Sequence, residues 1–491
     1  MKERRPVQDR FASLPATRLC VLVGVIVAVA VAAGTWSRAT YGARTTADEP
    51  HYLLTAISLA EDRDLDVADE RADLRYVAFH AAPLPQQAEV QDRGRQVAPH
   101  DPLLPVLLAV PVGAAGWIGA KLALAAIAGV LAAVMAWTAI HRFAVRPLVA
   151  AVAALLAGAS PPLAIYGTQV YPELVAALVA LLGYLAATAR AGPRTALAAV
   201  VCVSALPWLS VKYVLVAAVL AAGVLLQQWT ARRPRLVLGT TAALVASAAV
   251  YVVGHVVLYG GLTAYAAGSH FAAGELTVVG NDPDYVARSV RLAGLLVDRH
   301  FGLVPWQPAF LAAPVALGWL LWTSLRRATP SAPGVPAGDR LRRVLLVAVV
   351  VAGWATATWI ALTMHGWWWP GRQTVVVVPL LVVAIASWAD GLAPLAQRLL
   401  AGVAALGVLA YAVVAWGATA GWHTLIVDFD RTPNPVLWLL RPLFPDLRAD
   451  GIATDLQLTA WIVVLVATVL LAVRPAIRRR RAPARAVAVG P

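Results

Sequence analysis

The feature that most constrains this chain is a succession of apolar runs, recurring from Leu19 to Val473 and separated by short arginine clusters. A helix of about 20 apolar residues crosses a bilayer. Inside the hydrocarbon only helices and closed barrels satisfy their own backbone polar groups. The pattern therefore predicts an all-α polytopic integral membrane protein. Composition agrees: of 491 residues 60% are hydrophobic and 13% charged, where a soluble domain carries about 25% charged. The net charge of +14 does not imply nucleic acid, because the basic residues sit in clusters between apolar runs, as membrane orientation requires. Cys20 and Cys202 lie within apolar runs and have neither metal-site nor disulfide-framework spacing.

Basic clusters mark the cytoplasmic side. They fall at 2–10, 141–146, 190–194, 232–235, 326–343, around Arg398, and at 474–485. The alternating loops 37–101, 167–171, a turn near Trp208, 260–300, 364–372 and 421–456 are then exterior. This predicts both termini in the cytoplasm and about 12 spans: 19–36, 119–140, 148–166, 171–189, 194–208, 209–228, 236–259, 301–325, 344–363, 373–390, 399–420 and 458–474. The first reads as an uncleaved anchor, although Ala28-Val29-Ala30 loosely matches a cleavage site. Pro102–Trp117 is apolar but short and rich in Pro and Gly, and reads as a partial or skimming helix. The pair 194–208 and 209–228 is short enough to be a broken or re-entrant pair. Residues 1–491 read as one membrane domain with a flexible linker at 326–343 and a basic tail at 475–491 that would sit near anionic lipid.

The loop 37–101 holds 12 of the 26 acidic residues. Within it, Asp48-Glu49-Pro50-His51-Tyr52 opens a helix, with proline in the first turn and acids at its start. Leu53, Leu54, Ile57, Leu59 and Ala60 make an apolar side, as in a helix lying along the surface. Spacing alone favours Asp48 as a helix cap, and the other acids of the loop as solvated surface. Lys212 lies between apolar stretches, where an ionisable side chain is either functional or snorkels to the interface. Arg372 follows Trp367-Trp368-Trp369-Pro370-Gly371 on the exterior side, against the usual charge bias, and Glu173 opens a span there. Lys121 reads as an interface residue. Eight of nine histidines (51, 80, 100, 255, 270, 300, 365, 423) fall on exterior loops or span ends. That bias leaves room for a divalent cation, but no close histidine spacing specifies a metal site. No Walker or dinucleotide-binding motif occurs, so no nucleotide cofactor is expected. The Ala, Arg and Val content resembles that of GC-rich bacterial genomes.

The Asp48–Tyr52 pattern after a first span resembles the first-loop Asp-Glu motif of GT-C fold membrane glycosyltransferases, which include protein O-mannosyltransferases and aminoarabinose transferases. Leu59–Asp66, then Ala98–Pro105, Ser160–Pro162, Gly167–Glu173, Pro207–Tyr213, Asp298–Pro305 and Trp367–Arg372 follow in the order this group shows. Asp101 is a departure, since relatives often carry glycine there. The resemblance implies a transferase moving a sugar from a polyprenyl-phosphate donor to a cell-envelope glycan, lipid or protein on the exterior face. Asp48, with Glu49 as second choice, would be the base. Lys212 and Arg372 would hold the phosphate, and His51, Tyr52, His100, Asp101 and Glu173 would line the substrate site. A transporter or flippase of lipid-linked substrates is the competing reading; it would place polar residues near the midplane and often leave internal repeats.

Overall fold

The computed structural model describes residues 15–91, 94–268, 283–325, 337–426, 434, 439–449 and 451–473. The cluster at 2–10, His270, residues 326–336 of the linker and the tail from 475 lie outside the described residues. The main helices are α1 Ala16–Ala32, α2 Glu49–Glu61, α3 Ala68–Ala72, α4 Leu103–Phe143, α5 Pro147–Gly158, α6 Glu173–Ala187, α7 Pro193–Leu209, α8 Val214–Thr230 and α9 Pro234–Tyr259. They continue as α10 Arg291–Val297, α11 Ala313–Leu325, α12 Ala337–Ala355, α13 Val378–Ala389, α14 Pro394–Ala420 and α15 Ile452–Val473. Among the described residues only isolated β-bridges occur, such as Asp66–Val97 and Ala43–His80. Proline stands at the first helical positions of α5, α7, α9 and α14, where its missing N–H costs nothing.

Eight helical stretches are long and apolar enough to cross a membrane: Leu103–Phe143, Val211–Thr230, Pro234–Ala267, Pro308–Leu325, Gly338–Ile360, Arg372–Ala389, Pro394–Ala420 and Ile452–Leu470. Four shorter apolar helices, α1, α5, α6 and α7, occupy the remaining expected spans. The protein is thus an all-α polytopic membrane protein. The segment from Pro102 does run into the next span. Within the 41 residues of α4 the backbone leaves helical angles at Ala115 (φ −148°, ψ 24°) and Gly116 (φ 57°, ψ −149°), with Pro111 just before. The 194–228 pair is two separate helices that pack together, broken at the extended Ser210 and a single 3-10 turn, Val211–Tyr213.

Four expectations need correction. Helix α2 is not a surface helix: Glu49 through Ser58 are all buried, because its polar side chains bond internally, Thr55 to His51 O (3.0 Å) and Ser58 to Asp64 and Asp66. Residues 337–343 of the expected linker are helical, aided by Asp339 in the first turn and its pair with Arg342 at 2.6 Å. The span expected from 301 begins at Pro308, since Asp298 holds 298–301 in a turn by accepting from the His300 and Phe301 N–H groups. Lys121 is 3% exposed rather than interfacial, and donates to Arg44 O at 2.7 Å.

Small residues set the closest approach. Helices α1 and α4 share the most extensive contact, and Gly24 and Gly129 face each other there. A Cβ on either would come within 2.8 Å of the other's carbonyl oxygen, so this packing requires hydrogen at both positions. At the centre is the stretch Arg372–Ala389, with 89% of its residues buried, while in the most apolar 18 residues of Pro234–Ala267 and of Ile452–Leu470 only 6% are. An apolar groove of about 490 Å³ opens between α5, α13 and α14, with Gln307 and Arg398 among its lining residues.

Candidate functional site

Residues from four distant stretches meet at one end of the bundle. The loop before α2 brings Asp48, the start of α6 brings Glu173, the break between α7 and α8 brings Lys212, and the turn before α13 brings Arg372. Gly371 makes that last turn: its φ is +80°, and a Cβ would meet Leu303 Cδ2 at 2.7 Å, so only glycine fits.

Arg372 is 9% exposed and forks between two carboxylates, Nη2 to Asp48 Oδ2 at 2.9 Å and Nε to Glu173 Oε1 at 2.7 Å. Its guanidinium is stacked 4.1 Å from the Tyr171 ring centroid and 4.9 Å from that of Trp368, which fixes its plane. Lys212 Nζ reaches the same Glu173 Oε1 at 2.7 Å and lies 3.5 Å from Gln373 Oε1. Glu173 is fully buried, and its Oε2 has no hydrogen-bond partner. The result is a chain of alternating charge: Asp48, Arg372, Glu173, Lys212.

Asp48 occupies the N-cap position of α2, yet its side chain makes no cap hydrogen bond. Its oxygens face Arg372, Gln87 Nε2 at 3.4 Å and His100 Nε2 at 3.7 Å, and at 26% exposed it is the most accessible of the four charged side chains. Burial works to raise its pKa, but Arg372 and His100 outweigh it and hold the carboxyl well below its usual range. Tyr52 packs edge-on to His100, ring centroids 4.5 Å apart, and the His51 ring lies 6.1 Å from that of His100. Burial, with His100 nearby, lowers His51 to about 3, so it is neutral at physiological pH, and its Nε2 has no partner.

Glu49 is engaged elsewhere. It accepts from Thr46 N (3.1 Å), Val170 N (2.8 Å) and Gln169 Nε2 (3.4 Å). Burial pushes its pKa up, against the opposing charge of Lys121 and these donors. These bonds, with Tyr171 O–H donating to Thr46 O at 3.2 Å, hold the chain at Ala47, whose φ of +48° costs a non-glycine residue about 1–2 kcal/mol. Asp101, 4% exposed, is likewise taken: Oδ1 lies 2.9 Å from His255 Nε2 and accepts from Tyr251 at 3.4 Å, and Oδ2 accepts from Val211 N at 3.2 Å. It ties α9 to the turn that presents Lys212.

All nine expected residues therefore lie in one connected region, with Glu49 and Asp101 on its frame and the others around the charge chain. Sequence reasoning did not find Tyr171 and Trp368 as the walls holding Arg372, Lys121 as the counter-charge of Glu49, or His255 as the partner of Asp101. A lysine in the apolar middle of a 41-residue helix was the one available signal for the second of these.

No family model matches the chain, and no curated protein does. Among solved structures, it is similar to the crystal structure of ArnT from Cupriavidus metallidurans bound to undecaprenyl phosphate. The likeness has a TM-score of 0.46 and 14% identity, over 93% of this chain and 78% of that one.

Proposed function

We propose that this protein is a membrane glycosyltransferase that moves a sugar from a polyprenyl-phosphate donor to a cell-envelope acceptor, with the charge chain on the exterior face and both termini in the cytoplasm. The observation that carries the reading is the placement of a partly exposed carboxylate, Asp48, within hydrogen-bond reach of a stacked, buried arginine, next to a second cation. A base and a phosphate clamp side by side are what displacement at an anomeric carbon requires.

In this reaction the acceptor oxygen attacks the anomeric carbon, its proton passes to the Asp48 carboxylate, and the bond from that carbon to the phosphate oxygen breaks. The leaving polyprenyl phosphate gains negative charge, which Arg372 and Lys212 balance. The oxocarbenium-like transition state also favours a nearby carboxylate. Attack from the face opposite the leaving group inverts the anomeric configuration. Donor binding has a second effect. A phosphate that draws Arg372 toward itself releases Asp48 from its ion pair, and the freed carboxylate is the stronger base. Glu173 Oε2, buried without a partner, would accept a hydrogen bond from a hydroxyl of the bound sugar. Glu49 and Asp101 serve as anchors of the loop and of the Lys212 turn.

The test is transfer by protein in nanodiscs, offered a panel of polyprenyl-phosphate sugars and envelope extract, comparing wild type with Asp48→Asn. The expected result is transfer by wild type and a loss of about 10²–10⁴-fold in the variant, with donor binding retained. Turnover by Asp48→Asn at the wild-type rate would remove Asp48 as base. Movement of donor across the bilayer with no bond made would establish a transporter instead.

A further inference from the structure

A second polar cluster lies at the other end of α2, away from the charge chain. Asp62, at the helix C-cap, and Asp69 and Glu70 of α3 each bring a carboxylate oxygen within 4.8 Å of the others. Acidic surface clusters are common, and Asp62 and Asp69 are exposed. Glu70 is different. It is 3% exposed, and neither carboxylate oxygen has a hydrogen-bond partner. A buried carboxylate with no donor is costly unless a cation or a proton compensates it.

Among the described residues no side-chain cation forms an ion pair with Glu70. Arg75 is engaged by Glu61 through two bonds of 2.7 and 2.5 Å, and Arg71 turns to Leu84 O at 3.3 Å. Among the described residues no other three His, Cys, Asp or Glu side chains converge in this way. The donors are all carboxylate oxygens, which suit hard cations and not zinc or copper. The C-terminal end of α2, where carbonyl groups lack helical partners, adds favourable potential for positive charge.

We propose that Asp62, Asp69 and Glu70 form a binding site for a hard divalent cation of the calcium class. The ion would bridge the end of α2 to α3 and give Glu70 the partner it lacks. Helix α2 has 13 residues, so the site lies about 20 Å from Asp48. The ion braces the far end of the helix that Asp48 opens and takes no part in the chemistry at Asp48.

The experiment uses the full chain in nanodiscs, stripped with EDTA and titrated with calcium chloride, following heat of binding and melting temperature. The expected result is one saturable ion per chain, with a Kd of about 0.1–1 mM as for extracellular calcium modules, and a higher melting temperature at saturation. Glu70→Gln keeps the shape and removes a carboxylate that the ion needs. It should melt no lower than wild type in EDTA, yet lose both the binding heat and the calcium-dependent rise. Asp62→Asn with Asp69→Asn, both on the exposed rim, should weaken binding without disturbing the fold. The proposal is overturned if wild type shows no saturable binding up to about 10 mM, or if Glu70→Gln keeps the full rise.

Discussion

At the residue scale, the informative fact is that Asp48 is paired before any substrate arrives. Its low pKa follows from burial being outweighed by Arg372 and His100. In the unliganded protein it stays ionised below the ordinary aspartate value of about 3.9. Its contribution to stability is accordingly present above that ordinary value and is lost only as pH falls through the depressed one. If the donor phosphate draws Arg372 away, the same carboxyl titrates higher in the complex. The acid limb of kcat, which reports the complex, should then lie at higher pH than that of kcat/KM, which reports the free enzyme. Coincident limbs in steady-state profiles would show that Arg372 never leaves Asp48. The participants were legible as residue types: a carboxylate pair, a lone lysine and an exterior arginine each stood out against apolar sequence. Their division of labour was not, because Asp48 and Glu49 are neighbours in sequence and only the three donors around Glu49 separate the proposed base from the anchor.

At the scale of elements, α2 shows how a helix can be misjudged by its pattern. Counting apolar residues gave it one buried side, but His51, Thr55 and Ser58 are buried too; Thr55 and Ser58 bond locally and can be enclosed at little cost, while the His51 ring lies against that of His100. The helix is pinned at its start by Glu49, whose opposing charge, Lys121, projects from α4. Lys121 also donates to Arg44 O, and its charge opposes that of the buried Glu49. Lys121→Met should therefore lower the melting temperature, and Glu49→Gln added to it should recover part of the loss. Additive losses in that double-mutant cycle would mean the two side chains are not coupled.

At the scale of the molecule, the order of apolar segments was readable and the radial arrangement was not. The most buried stretch, Arg372–Ala389, has a mean hydropathy of 1.7, while the most apolar 18 residues of Pro234–Ala267, at 2.1, are among the least buried. Lipid and protein interior are both apolar, so hydropathy cannot tell which face a helix presents to which. What does mark the centre is Arg372, a charge that only an interior rich in partners tolerates. The chain Asp48, Arg372, Glu173, Lys212 sums to zero, and this gives a last expectation. A cleft carrying excess charge of one sign gathers its ligand through a long-range field that salt weakens; a balanced one has little such field to lose. Turnover should thus change less than about twofold between roughly 50 and 200 mM salt, and a steep decline across that range, measured at fixed donor, would contradict the balance. For the proposed reaction, encounter then becomes a matter of lateral diffusion: a lipid-linked donor would arrive as a fraction of the lipids in a two-dimensional fluid, and the rate should follow its surface density, not its amount per volume of buffer.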